Sequence, residues 1–312
     1  MRKLSIVIPV YNESENIKPL YDEIISVVED FELIIVDDGS TDSTWDVIKE
    51  IAQKDKRVIG IRFTRNFGQT QAIKAGIEIA KNDIIILMDG DGQNDPSDIP
   101  KLLSKIDEGF DVVSGWRKNR KDNYFTRILP SKIANFIISF ITGVKLNDYG
   151  CTLKAYKKEF IKRIDLYGEM HRFIPSLCYY TGARIAEIEV NHRSRIRGRS
   201  KYGFGRIFKV ILDVIVVKFT GSFMSKPIYF FGSFSFALIG ISAIFFLITL
   251  YNKWYNHIFV KDQPLFLVAI FLSLVGVELA LIGVIAEMIT RTYYSITKKD
   301  FFIKERINYE ER

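Results

Sequence analysis

The 312 residues predict an α/β head built on a mostly parallel sheet, followed by a membrane anchor of two helices. Two observations predict this. Over the first 220 or so residues, short branched apolar runs alternate with amphipathic stretches of helical period; from Pro227 to Ile289 the chain is overwhelmingly apolar.

The head comes first. Leu4 to Val10 is an apolar run too short for a helix and rich in branched residues, and it reads as a buried strand. The same holds for Glu32 to Val36, Val58 to Phe63, Asp83 to Met88 and Phe110 to Ser114. Between them lie helical patterns at Ser14 to Glu29, Ser43 to Lys54, Gln69 to Lys81 and Pro96 to Glu108. Strands alternating with helices give a parallel sheet covered on both faces. Further on, Ile128 to Thr142 and Ile207 to Phe219 carry spaced polar residues in apolar stretches, as helices lying at a membrane interface do.

The anchor follows. Ile228 to Leu250 has no charged residue and exceeds the roughly 20 residues that span a bilayer as a helix. Leu265 to Ile289 is long enough too, but holds Glu278 and Glu287. Glu278 sits mid-span, where a carboxyl has to be protonated, paired or turned toward protein. The chain thus divides into a head at 1–204, a juxtamembrane amphipathic helix at 205–226, the anchor at 227–290 with spans at 228–250 and 265–289, and a basic tail at 291–312.

Lysine and arginine are dense in Arg193 to Lys218 and Arg291 to Arg312 and sparse between the spans, which predicts that head and termini are cytoplasmic. Met1-Arg2-Lys3 runs straight into a strand-like segment too brief for a signal sequence. Cys151 and Cys178 have no metal or redox spacing and read as reduced core thiols. The net charge of +7 concentrates where the head would meet a membrane, and so predicts anionic lipid or phosphate as partner and not nucleic acid.

In a parallel sheet ligands collect at the carboxyl ends of the strands. The polar clusters fall there: Pro9 to Glu13 after strand one, Asp37 to Asp42 after strand two, Asp89 to Gln93 after strand four. Neither G-x-G-x-x-G nor a P-loop is present, which argues against a dinucleotide oxidoreductase or a P-loop enzyme. Asp89 and Asp91, separated by one glycine, can face a single cation; a hard oxygen site with open positions suits Mg²⁺ or Mn²⁺ carrying a diphosphate. Asn191 to Lys209 has seven basic and no acidic residues, with Arg199, Ser200 and Lys201 best placed to meet a donor diphosphate or acceptor phosphate. Arg117 and Arg127 lie in a second basic stretch, read as a loop that closes over phosphates. His171 reads as a hydrogen-bonded structural histidine.

Val10-Tyr11-Asn12-Glu13, Asp37 to Asp42 and Asp89 to Pro96, in that order and spacing, resemble the family 2 glycosyltransferases of GT-A fold. With Gly198 to Gly203, the two spans and the basic tail, the whole chain resembles their polyprenyl-phosphate branch. The resemblance implies an inverting transfer from a nucleotide-sugar, with a leaning to UDP, onto undecaprenyl or dolichyl phosphate, in a bacterial or archaeal plasma membrane. Pro9, Tyr11 and Glu13 would line the nucleotide pocket, Asp38 would sit near base or ribose, and Asp89, Asp91 and Gln93 would hold metal and diphosphate. Asp148 falls where the family has an aspartate near the reacting sugar, and joins Asp91, Arg199 and Lys201 as the expected catalytic set. One departure is Gly90-Asp91-Gly92-Gln93 where many relatives have Ala-Asp-Leu-Gln. The alternatives are a processive polysaccharide synthase, which would need Q-x-x-R-W and more spans, and a catalytically silent membrane scaffold. Lys298 to Arg306 is expected to pair as strands between subunits, giving a homo-oligomer taken to be a tetramer.

Overall fold

The computed structural model describes residues 3–118, 129–193, 214–219 and 227–296. It separates into two compact units, Met1–Lys218 and Phe219–Arg312.

In the first unit the apolar runs become strands β1 (Leu4–Val10), β2 (Phe31–Asp37), β3 (Val58–Arg62), β4 (Ile84–Leu87) and β5 (Val112–Trp116). Between them run α1 (Ser14–Val27), α2 (Thr44–Lys54), α3 (Gln69–Ile79) and α4 (Ile99–Asp107), the last entered through a 3-10 turn at Pro96–Asp98. Beyond β5 come α5 (Leu129–Thr142), β6 (Lys154–Lys157), α6 (Lys158–Ile161), α7 (Ile174–Tyr180) and β7 (Ile185–Glu189). The sheet has seven strands in the order β3-β2-β1-β4-β6-β5-β7. Only β6 runs against its neighbours; β1–β2, β1–β4, β2–β3 and β5–β7 are parallel.

Strand alternation sorts the core into two faces. Leu4, Ile6 and Ile8 with Leu33 and Ile35 pack under α1, α2 and α4 through Ile24, Ile48 and Leu102. Val7, Ile34 and Val36 face the other way, onto Ile73 and Ile77 of α3 and Phe173 and Cys178 at α7. Full burial of such a side chain contributes about 1.5–3 kcal/mol. Helix α5 buries Ile138 in this second layer and leaves Phe136 and Phe140 exposed.

Chain order runs outward from β1 through β2 to β3 on one side, and on the other side of β1 lies β4. Such a reversal opens a crevice at the carboxyl ends of the strands on either side. Register fixes which residues reach it: Val10 lies opposite Asp37 and Val7 opposite Leu87, so the loops after β1, β2 and β4 leave the same edge.

The second unit is a helical hairpin of α8 (Pro227–Tyr255) and α9 (Pro264–Ile296), each containing a stretch long and apolar enough to cross a membrane. Ser235, Ser242 and Thr249 of α8 are buried at seven-residue intervals. Ser242 Oγ donates to the Ala269 carbonyl at 2.6 Å. A Cβ on Gly276 would lie 2.7 Å from Ile239 Cγ1, so the helices pack close through small residues. The expected juxtamembrane helix falls largely outside the described residues, and the tail Lys298 to Arg306 wholly so.

Candidate active site

The loops after β1 and β2 are tied to each other. Asn12 donates its backbone N–H to Ser40 Oγ and accepts that of Thr41 on Oδ1, each at 2.9 Å, while Glu13 N–H donates to Thr44 Oγ1. Asn12 holds a positive φ of 58°, which lets the chain turn sharply after Tyr11. Pro9 is buried in β1 opposite Val36, and Glu13 Oε2 accepts from Asn16. Buried Asp38 turns its carboxylate to the backbone N–H groups of Phe67 and Gly68, at 2.7 and 2.9 Å. Burial raises the Asp38 pKa, against the lowering effect of those two donors. The Asp38 loop therefore fixes the start of α3.

That helix start reaches the acidic pair. Gln69, its first residue, donates from Nε2 to Asp89 Oδ1 at 2.8 Å, and Thr152 Oγ1 donates to Asp89 Oδ2 at 2.6 Å. Burial, and then the charge of Asp91, push the Asp89 carboxyl up to about 6. The Gln93 backbone N–H donates to Asp91 Oδ1, and its side-chain amide turns toward the Arg193 carbonyl. A Cβ on Gly90 would stand 2.4 Å from Val10 Cγ1, so the valine methyl fills the space an alanine would need.

Across from Asp89, Arg117 leaves the end of β5 and grips Asp148 in the loop before β6. Nε reaches Oδ2 at 2.7 Å and Nη2 reaches Oδ1 at 3.0 Å, with side chains 12% and 4% exposed. The Asn147–Cys151 loop is itself braced. Glu187 accepts the backbone N–H groups of Asn147 and Asp148, and Lys154 Nζ donates to the Tyr149 carbonyl at 3.0 Å. Lys154 is buried, and desolvation pushes it down to about 8. The Arg117 charge also acts on Asp89, so Asp89, Thr152, Arg117 and Asp148 form one polar cluster.

The structure thus brings Asp89, Asp91, Gln93, Arg117 and Asp148 to one sheet edge. Arg117, expected on a closing loop, is instead a buried partner of Asp148, because two strand ends hold the pair together. Arg193, the first arginine of the basic run, is committed to Glu23 and Asp95 at 2.7 and 3.0 Å. His171 Nδ1 hydrogen-bonds Thr70 Oγ1 at 2.8 Å. Arg127, Arg199, Ser200 and Lys201 lie outside the described residues. Sequence reading missed Gln69 and Thr152. Gly68, just ahead of a helical pattern, marks Gln69 as a helix-start side chain; nothing in the local sequence marks Thr152.

Among the described residues no group of three or more His, Cys, Asp or Glu side chains is placed to hold a metal. A divalent ion here would rest on Asp89 and Asp91 and on oxygens brought by a ligand. The pair fits that role: its donors are hard oxygens, and the mutual repulsion that raises Asp89 is relieved by a cation.

Comparison with known proteins agrees with this architecture. The family model for Glycosyl transferase family 2 matches residues 5–165. The dodecaprenyl-phosphate galacturonate synthase of Rhizobium johnstonii is 43% identical over 303 residues, 94% of this chain and 89% of that one. An undecaprenyl-phosphate 4-deoxy-4-formamido-L-arabinose transferase of Shewanella sediminis is 35% identical over 300 residues, 94% of this chain and 88% of that one. Among solved structures, glucosyl-3-phosphoglycerate synthase of Mycobacterium tuberculosis, in complex with Mn²⁺ and UDP, shares the fold at a TM-score of 0.56 and 19% identity. That match covers 70% of this chain and 80% of that one.

Proposed function

The chain belongs to the family 2 glycosyl transferases, and from that premise we propose that it moves a sugar from a nucleotide-sugar, UDP-linked by expectation, onto a polyprenyl phosphate at the cytoplasmic face of a membrane. The observation that carries the reading is the convergence of the Asp89–Asp91 pair with the Arg117–Asp148 fork, whose arginine charge acts on Asp89 while Thr152, four residues beyond Asp148, donates to it. Full-length similarity to two relatives named for polyprenyl-phosphate acceptors, with two apolar helices after the head, supports the lipid acceptor.

Each group has a separate task. Asp89 and Asp91 would hold a divalent ion, Mg²⁺ or Mn²⁺, which when bound would supply Lewis-acid charge to the departing nucleotide diphosphate. Gln69 and Thr152 fix both Asp89 oxygens, so the carboxylate is oriented before the donor arrives. Pro9, Tyr11, Glu13 and Asp38 shape the nucleotide side of the crevice. A lipid monophosphate, with its second pKa of about 6, is already anionic at neutral pH and attacks the anomeric carbon without a strong base. Asp148 is therefore free of that duty, and its forked bond to Arg117 suits it to orient the sugar and stabilise positive charge at the reacting carbon. A single displacement inverts the anomer. Arg127, Arg199, Ser200 and Lys201 are assigned to the acceptor phosphate and the diphosphate by charge.

Calorimetric titration with UDP tests the donor half. Binding should require Mn²⁺ or Mg²⁺ and be lost in Asp91→Asn; metal-independent binding that survives the substitution would contradict the assignment.

A further inference from the structure

The loop that carries Asp89 and Asp91 also contains Gly90 and Gly92, and a chain so rich in glycine sets little of its own geometry. Its shape is fixed at its far end. Asn94, buried, accepts the Asp89 backbone N–H on Oδ1 at 2.9 Å, and the Gln93 backbone N–H donates to Asp91 Oδ1 at 3.1 Å. Both members of the acidic pair are therefore placed by Gln93 and Asn94.

Those two residues are in turn paired with the chain that leaves β7. Asn94 forms an antiparallel bridge with His192, and the Arg193 backbone N–H donates to the Gln93 carbonyl at 3.0 Å. The Asn191 backbone N–H donates to buried Asp98 at 2.6 Å. The Arg193 side chain closes the pairing. Its Nη2 meets Asp95 Oδ1 at 3.0 Å and its Nη1 meets Glu23 Oε2 of α1 at 2.7 Å, so one guanidinium joins the end of the acidic loop to a helix outside it. A planar fork holds two carboxylates at once with a geometric control that a single ammonium lacks. Arg193 and Glu23 are 38% and 41% exposed, and ion pairs of that exposure contribute little to folding stability. What this one governs is the position of the loop.

We propose that Arg193 is a positioning residue for the donor site: by tying Asp95 to Glu23 it holds Gln93 and Asn94, and through them Asp89 and Asp91, in the arrangement that takes a divalent ion and a diphosphate. The inference rests on Asp89 and Asp91 being the donor metal site. It gives Arg193 no contact of its own with donor or lipid phosphate.

Calorimetric titration of UDP into the full-length protein with Mn²⁺ tests it in wild type, Arg193→Met, Arg193→Lys and Glu23→Gln. Arg193→Met keeps the apolar stem and removes the fork. UDP affinity should fall about tenfold, as it does when the outer supports of metal ligands are lost, while the midpoint of thermal unfolding moves by no more than about 3 °C. Glu23→Gln should weaken binding too, and Arg193→Lys should fall between wild type and Arg193→Met. The sign of the Glu23→Gln effect is decisive. An arginine that gripped phosphate itself would be released by the loss of Glu23, and binding would tighten or stay the same; that result would overturn the proposal. So would wild-type affinity in Arg193→Met, or a loss of affinity accompanied by a large drop in the unfolding midpoint. Absence of Mn²⁺-dependent UDP binding in wild type would instead overturn the donor reading of Asp89 and Asp91 and, with it, this role for Arg193.

Discussion

Arg117 and Asp148 form a two-point fork, at 2.7 and 3.0 Å, in which neither side chain is more than 12% exposed. Asp148 also accepts the Gly150 backbone N–H, so both carboxylate oxygens are engaged. Removing one partner of a buried pair strands the other charge. Arg117→Ala should therefore lower stability by about 3–5 kcal/mol, whereas the paired replacement Arg117→Met with Asp148→Leu should recover most of that loss while abolishing transfer. Denaturant unfolding of the three proteins, with turnover measured alongside, separates the structural role of the fork from its chemical one. Equal instability of single and double variants would contradict this account of the pair.

The Asp89 carboxyl, pushed up to about 6 from an ordinary 3.8, sets a pH dependence. Because the folded state binds this proton more tightly, its contribution to stability is present below pH 3.8 and is lost as pH rises through about 6. A cation at Asp89 and Asp91 competes with the proton, so metal affinity should fall as pH drops below about 6. Thermal unfolding across that range, with and without Mn²⁺, should show the metal stabilising the protein at pH 7.5 and barely at pH 5. Stabilisation by Mn²⁺ that does not change with pH would count against the shared site.

Strands β1 to β5, and the three polar loops, were legible because a buried parallel strand leaves an unbroken apolar run and the ligand edge leaves polar residues at its end. Strands β6 and β7 were not. β6 reads Lys154-Ala-Tyr-Lys157, and its first lysine looks exposed until tertiary packing places its ammonium on the Tyr149 carbonyl. β7 alternates apolar and acidic over only its last four residues, and one of those acids, Glu187, braces the Asp148 loop. The Arg117–Asp148 fork joins residues 31 apart through two strand ends that only the folded sheet brings together. No local pattern encodes that meeting. Glu278 was legible as a mid-span carboxyl from the sequence alone.

Two glycines of the acidic loop should respond oppositely to crowding and strain. Gly90→Ala drives a methyl to within 2.4 Å of buried Val10 and should cost about 1–3 kcal/mol through overpacking. It should also cut UDP affinity by displacing Asp89 and Asp91. Gly92 has open space around it but a φ of 72°, so Gly92→Ala should cost only about 1–2 kcal/mol of backbone strain. Shrinking Val10 to alanine beside Gly90→Ala should restore UDP binding, and failure of that rescue would place the defect elsewhere.

Both thiols should be inert in the folded protein. Burial pushes Cys151 up to about 12 and Cys178 higher still, so neither forms thiolate at neutral pH. Maleimide should label them only after unfolding, as intact-mass measurement before and after denaturant will show. Rapid labelling of the native chain would contradict the burial of both thiols.

The most direct test of transfer to a lipid phosphate is to follow radiolabelled sugar from a panel of nucleotide-sugars into an organic-soluble product with purified protein, polyprenyl phosphate and Mg²⁺. The panel should include the donors for galacturonate and 4-deoxy-4-formamido-L-arabinose, the sugars for which two relatives are named. One donor should yield a polyprenyl-phosphate sugar that needs the lipid and the metal and disappears in Asp91→Asn. Label released as free sugar with no lipid product, or lipid product undiminished by chelator and by Asp91→Asn, would contradict it.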